Sequence, residues 1–161
     1  MREAVLACDA AIRAWPGYAD AWLERGAILA AGGSSRAAHE SFAKAKQLAP
    51  HLAQAHAGLA ALAARDGDYG AARRHAEDAL HRDPTNAVAI CARANADIAD
   101  KRPELAREAL AELLGRLDRP SPDRSFAATA LGDACDKLGD YDAAFRAYAA
   151  ANSDFAAVNA G

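Results

Sequence analysis

The sequence has few residues that favour β-strands and no long apolar run. Valine, isoleucine and threonine together supply nine of the 161 residues, whereas alanine alone supplies 48. Because alanine is the strongest helix former and β-branched residues favour strands, this composition predicts an all-α protein. No apolar run approaches the roughly 20 residues of a membrane span, and the first residues lack a signal-peptide pattern. A cytoplasmic protein is therefore expected.

Excess charge of one sign and paired cysteines are also missing. The 19 basic and 22 acidic residues leave a net charge of -3, so no field should attract nucleic acid or an anionic membrane. The three cysteines, Cys8, Cys91 and Cys135, are odd in number and far apart along the chain. This pattern does not fit a disulfide framework and predicts reduced thiols.

The familiar signatures of enzymes are absent as well. The sequence contains no glycine-rich phosphate loop, no GxSxG and no HExxH. Residues 132–152 do crowd a cysteine among aspartates, which suggests a thiolate nucleophile around Cys135. An activated thiol needs a cation such as histidine beside it, and no histidine follows His81. The sequence therefore predicts that Cys135 is buried. It also predicts no catalytic residue and no cofactor.

The five histidines raise the question of a metal site. His51 and His56 are five residues apart, and His75 and His81 are six apart, so neither pair shares one face of a helix. Because zinc ligands must converge on one point, this spacing predicts no metal site.

Four prolines divide the chain into similar segments. Pro16, Pro50 and Pro84 are 34 residues apart, and Pro122 follows after 38. Such a period indicates a repeat, and each segment has the pattern of helix, turn and helix. The predicted organisation is a lone second helix (1–18), three repeats (19–52, 53–86 and 125–158), a degenerate repeat with an insertion (87–124) and a tail (159–161).

Equivalent places in the segments hold the same kinds of residue. Small residues occupy two of these places, Gly26, Ala60, Ala94 and Gly132 in one and Ala38, Ala72, Ala106 and Ala144 in the other. The chain resembles the tetratricopeptide repeat (TPR) family. The resemblance rests on these small residues, on the prolines and on Trp22, Leu59, Tyr69, Phe42, Leu131, Tyr141 and Tyr148. Arg25 and Arg93 stand where the family usually has leucine, which suggests looser packing or side chains that reach outward.

The resemblance implies an all-α right-handed superhelix of about eight helices, whose first helices line a concave groove. It implies a protein-protein interaction scaffold, of bacterial type, that binds a partner peptide or helix in that groove. It places ten residues in the groove: Gln54, Arg65, Cys91, Asn95, Ile98, Phe126, Thr129, Asp133, Asp136 and Lys137. Self-association through exposed terminal helices is a further expectation, because the ends of a repeat array expose apolar surface.

An alternative function follows from the last repeat. Residues 130–152 are similar to the last repeat of bacterial proteins in which TPR arrays precede a sulfotransferase domain. This similarity implies that the chain is the non-catalytic TPR part of a larger enzyme.

Overall fold

The structure, a computed structural model, describes residues 1–160 and contains nine helices and no strand within them. The all-α prediction is confirmed, with one helix more than the eight expected. None of the helices in this range is both long and apolar enough to span a membrane. The helices are α1 (Arg2–Ala14), α2 (Ala19–Ala31), α3 (Ser35–Leu48), α4 (Ala53–Arg65), α5 (Tyr69–Arg82), α6 (Ala87–Ala99), α7 (Pro103–Arg116), α8 (Pro122–Lys137) and α9 (Tyr141–Asn159).

The chain forms two compact units, and the boundary between them falls within α6. Unit 1 is Met1–Ala89, in which α2 packs on α3, α4 packs on α5, and α1 lies against α2. Helix α3 also packs on α4 and connects the two hairpins. Unit 2 begins at Ile90, and there α8 packs on both α7 and α9. The repeat boundaries given above stay a prediction.

Glycine turns separate the helices of three hairpins. Gly33, Gly67 and Gly139 have φ of 77°, 80° and 75°, a left-handed conformation that glycine adopts without strain. The aspartate after two of these glycines then caps the next helix. Asp68 accepts a hydrogen bond from the Ala71 amide at 2.9 Å, and Asp140 accepts one from the Ala143 amide at 3.1 Å.

The turn between α6 and α7 has the same conformation without glycine. Lys101 has φ of 59°, and the amide after it bonds to the Asp97 carbonyl at 2.8 Å. A residue other than glycine loses roughly 1–2 kcal/mol of stability in this conformation. Glycine avoids this strain but loses more backbone entropy on folding, which offsets part of the gain.

Replacing Lys101 with glycine should therefore stabilise the fold by about 0.5–1 kcal/mol. Urea unfolding followed by far-UV circular dichroism measures this change. The matched control is Gly139→Ala, which introduces the same strain and should destabilise by about 1 kcal/mol. A loss of stability in Lys101→Gly would contradict the assignment of strain to this turn.

Three of the four periodic prolines follow the end of a helix. The residues just before them, Trp15, Ala49 and Asp83, have φ near -138° and end α1, α3 and α5. A proline disfavours helical geometry in the residue before it, which accounts for these ends.

The fourth periodic proline has a different role. Pro122 occupies the first turn of α8, and the Ser121 hydroxyl accepts a hydrogen bond from the Arg124 amide at 3.1 Å. Proline is well tolerated in the first turn because its missing amide would lack a partner there. Helix α8 therefore begins three residues before 125, the first residue of the predicted repeat.

Small residues let the helices of unit 1 approach around one aromatic ring. Phe42 of α3 is 5% exposed and packs with Leu59 and Leu62 of α4. A Cβ atom at Gly26 or at Gly58 would lie 2.7 Å from the Phe42 ring. The ring thus fills the space that these two glycines leave open on α2 and α4.

Arg25 joins three helices of unit 1 instead of reaching into solvent. Its Nε donates to the Asp9 carboxylate of α1 at 2.8 Å, and its Nη1 donates to the Ser41 hydroxyl of α3 at 2.8 Å. The buried Ser41 hydroxyl in turn donates to the Ala37 carbonyl at 2.8 Å. The side chain therefore does not reach outward, and it makes polar contacts with α1 and α3 at a place where the family usually has leucine.

Candidate partner-binding surface

Half of the predicted groove residues share one exposed face of α8. They lie at spacings of three, seven, ten and eleven residues from the first, which a helix of 3.6 residues per turn places on one side. We call this surface the α8 face, and it consists of Phe126, Thr129, Asp133, Asp136 and Lys137, all of them exposed.

The α8 face rests on a helix whose opposite side is buried. Ala127, Ala130 and Ala134 are at most 3% exposed, and α8 packs on both α7 and α9. At the N-terminal end of the helix, the Ser125 hydroxyl donates to the Ala151 carbonyl of α9 at 2.9 Å. The face is therefore presented by a firmly packed helix.

A second hydrogen bond between α8 and α9 orients Asp133 on the α8 face. The Tyr148 hydroxyl donates to Asp133 Oδ1 at 2.7 Å, and this hydrogen bond is the main cause that raises the pKa of Tyr148 to about 12. The Tyr148 ring also lies against Gly132, where an added Cβ would come within 2.4 Å of it. Asp133 is thus held in place, while Asp136 and Lys137 remain exposed beside it.

An ion pair fixes the start of α8. Arg124 Nε lies 2.9 Å from Asp154 Oδ2, outside the alignment of a hydrogen bond, and Asp154 is only 7% exposed. Arg124 Nη1 also donates to the carbonyls of Leu114 and Leu117, at 3.3 and 2.8 Å. One side chain therefore connects the end of α7, the start of α8 and the middle of α9.

The other five predicted groove residues lie outside α8 and differ in how exposed they are. Gln54 is exposed, whereas Asn95 and Ile98 are half-buried. Arg65 is exposed, but its guanidinium donates to the Ala30 carbonyl at 3.1 Å and to the Ser35 hydroxyl at 2.6 Å, so it ties α4 to α2 and α3. Cys91 is 1% exposed. It offers a partner no surface, and its placement in the groove needs correction.

Solved structures of several proteins share this arrangement of helices. A thermophilic TPR protein of Thermus thermophilus superposes with a TM-score of 0.75 at 18% identity, over 93% of this chain and 80% of that one. MamA from Desulfovibrio magneticus RS-1 gives 0.68 at 20%, over 98% and 87%. Cut9, in the APC/C hetero-tetramer Cut9-Hcn1, gives 0.80 at 17%, over 96% of this chain and 29% of that one.

The fold is that of a tetratricopeptide repeat protein. At 17–20% identity these likenesses establish the architecture alone. No protein-family model and no curated protein matches the sequence.

Two cysteines are buried in this TPR fold. Cys135 is 2% exposed, as predicted, and burial raises the pKa of its thiol. Burial also raises the pKa of the Cys91 thiol to about 12. Both side chains therefore stay protonated near neutral pH and pack as small apolar groups.

A second cluster of polar side chains lies in unit 1, away from the α8 face. His56 of α4 meets His75 and Asp78 of α5, and one ligand atom from each lies within 4.8 Å of the others. His56 Nδ1 is 3.6 Å from Asp78 Oδ2. Spacing along the chain missed this cluster because its histidines belong to different helices. The available signal was the pair of His75 and Asp78, which are three residues apart on one helix face.

Both histidines of the cluster favour the neutral state. Burial is the main cause that lowers the pKa of His56, which is 4% exposed, and the pKa of His75. The positive charge of Lys46 lowers both pKa values further. Neutral imidazole is the form that binds a metal ion.

Proposed function

We propose that this TPR chain is a protein-protein interaction scaffold, and that the α8 face forms part of a concave groove that binds a peptide or helix of a partner. The observation that carries the proposal is Phe126, which is 51% exposed on a well-packed helix. Exposed aromatic side chains on rigid elements are typical anchors of protein interfaces. Cut9, one of the proteins with this fold, assembles with Hcn1 in a hetero-tetramer.

The charges of the α8 face indicate the chemistry of the partner. Asp133 and Asp136 outweigh Lys137, so the part of the face beyond Phe126 carries a net negative charge. Complementary charge favours encounter with the right partner and disfavours acidic ones. We therefore expect a segment with an apolar side chain followed, about two helical turns away, by lysine or arginine.

A selection of displayed random peptides against the 161-residue protein tests this proposal. Selected peptides should carry the basic and apolar pattern, and fluorescence anisotropy would give their affinities. Phe126→Ala and Asp136→Lys should each weaken binding about tenfold, because one removes the apolar anchor and the other reverses a charge. Asp136 is a cleaner choice than Asp133, whose change would also break the bond to Tyr148.

Matched controls separate the α8 face from the rest of the surface. Leu105→Ala removes an exposed leucine from α7, and Asp118→Lys reverses an exposed charge between α7 and α8. Both controls should bind the selected peptides as the wild type does. If Phe126→Ala and Asp136→Lys bind as tightly as the controls, the α8 face is not the binding surface.

The predicted self-association also has support in unit 2. Helix α9 exposes Tyr141, Phe145 and Phe155, which lie within about 80° of one another around the helix. Stripes of this kind are typical of contacts with another protein or another copy. The alternative function, as the TPR part of a sulfotransferase, stays a prediction.

A further inference from the structure

We propose that His56, His75 and Asp78 bind a divalent transition-metal ion such as Zn²⁺ between α4 and α5. The donor set of two imidazole nitrogens and one carboxylate oxygen is the one that suits Zn²⁺, and the fourth position would be left to water. Ca²⁺ and Mg²⁺ prefer sites made of oxygen alone. This inference concerns unit 1 and is independent of the α8 face.

The distances between the donor atoms suit a metal site that closes slightly on binding. Zn²⁺ lies about 2.0–2.2 Å from nitrogen and oxygen ligands, which places neighbouring donors of a tetrahedral site about 3.3 Å apart. His56 Nδ1 and Asp78 Oδ2 are 3.6 Å apart, close to that value. The widest separation in the cluster is within 4.8 Å, and Asp78 has an exposed side chain free to adopt another rotamer.

The hydrogen bond on the far side of His56 prepares its ring for a metal. His56 Nε2 lies 3.2 Å from the Pro50 carbonyl oxygen, which only accepts, so Nε2 carries the proton. The lone pair of the neutral ring is then on Nδ1, which faces Asp78. Metal-bound histidines commonly donate their other ring N–H to a backbone carbonyl in this way.

Buried nitrogen atoms give a second, independent observation. Within residues 1–160, Nδ1 of His56 and Nδ1 of His75 are buried without a hydrogen-bond partner. A buried polar atom without a partner costs roughly 1–3 kcal/mol, and native proteins rarely leave such atoms unsatisfied. A metal ion that accepts both lone pairs would remove this cost.

Positively charged side chains around the cluster should weaken the binding of a cation, and removing one of them tests the proposal. The positive charge of Lys46 on α3 lowers the pKa of both histidines, that of Arg82 lowers the pKa of His56, and that of Arg74 lowers the pKa of His75. Arg82 Nη1 also lies 3.8 Å from Asp78 Oδ1. Lys46 is half-buried. Lys46→Gln should therefore tighten metal binding by removing one repelling charge.

Isothermal titration of the tag-free 161-residue protein with ZnCl₂ tests the proposal. We expect one Zn²⁺ per chain, a higher midpoint of thermal unfolding with Zn²⁺ than without, and no comparable effect of CaCl₂. Asp78→Asn and His75→Gln should each weaken Zn²⁺ binding at least tenfold. Asp78 is exposed, so its variant keeps the fold and isolates the ligand effect.

The matched control is His81→Gln, which removes an exposed histidine from the same helix. It should bind Zn²⁺ as the wild type does. The proposal is overturned if no saturable binding of one ion per chain occurs. It is also overturned if Asp78→Asn and His75→Gln bind as tightly as the wild type.

Discussion

Replacing Phe42 with alanine should lower the free energy of unfolding of unit 1 by about 3–5 kcal/mol. The Phe42 ring is 5% exposed and lies between Gly26 of α2 and Gly58 of α4. Neither glycine has a side chain that could move into the space left by the ring. The cavity would therefore persist, and its cost would add to the lost burial of apolar surface.

Tryptophan fluorescence during urea unfolding would measure this loss directly. The chain has two tryptophans, Trp15 and Trp22, and both belong to unit 1. Phe42→Leu serves as the control, because a branched aliphatic side chain fills much of the same space and should cost less than half as much. Equal losses for the two variants would show that the ring shape between the glycines is what matters. A loss below about 1 kcal/mol for Phe42→Ala would contradict the packing described.

Replacing Arg124 with methionine should destabilise unit 2 by about 2–3 kcal/mol. The change keeps an apolar stem but leaves the Asp154 carboxylate buried without its ion pair and two carbonyls without their donor. Loss of one partner from a fully buried pair costs about 3–5 kcal/mol. We expect less here because Arg124 remains partly exposed.

Hydrogen exchange followed by mass spectrometry would locate this effect. Amides of α9 should exchange about 30–100-fold faster in Arg124→Met, since each tenfold change corresponds to about 1.4 kcal/mol. Arg107→Met, an exposed change on α7, should leave their exchange unaltered. Adding Asp154→Leu to Arg124→Met should recover part of the protection, because the unpaired buried charge is then gone. Exchange of α9 at the wild-type rate in Arg124→Met would contradict the role of this ion pair.

The features of the fold that could be predicted from sequence are those set by neighbouring residues. A glycine with positive φ and an aspartate that caps the next helix are local, and both occur at Gly67-Asp68 and at Gly139-Asp140. The start of α8 is set locally as well. Ser121 and Pro122 form a helix-start signal and mark the start that the structure has, whereas the repeat period alone predicts a start at 125.

Contacts between helices could be predicted only in part. The resemblance to the TPR family predicts that Phe126 and Asp136 lie on one face of a single helix, and both side chains are exposed there. It could not show that Cys91 is buried, because a small rotation of a helix exchanges groove positions for core positions. The cluster of His56 with His75 depends on how α4 crosses α5, and the spacing of residues within one helix gives no information about that crossing.

The packing of Phe42 also limits how freely these repeats can be exchanged as modules. Phe42 and Gly26 belong to the segment 19–52, whereas Gly58 belongs to the segment that follows it. A designer who copies residues 19–52 into a new array therefore transfers an aromatic ring but only one of the two glycines that make room for it. The portable unit of this protein extends past its own sequence period, at least as far as residue 58.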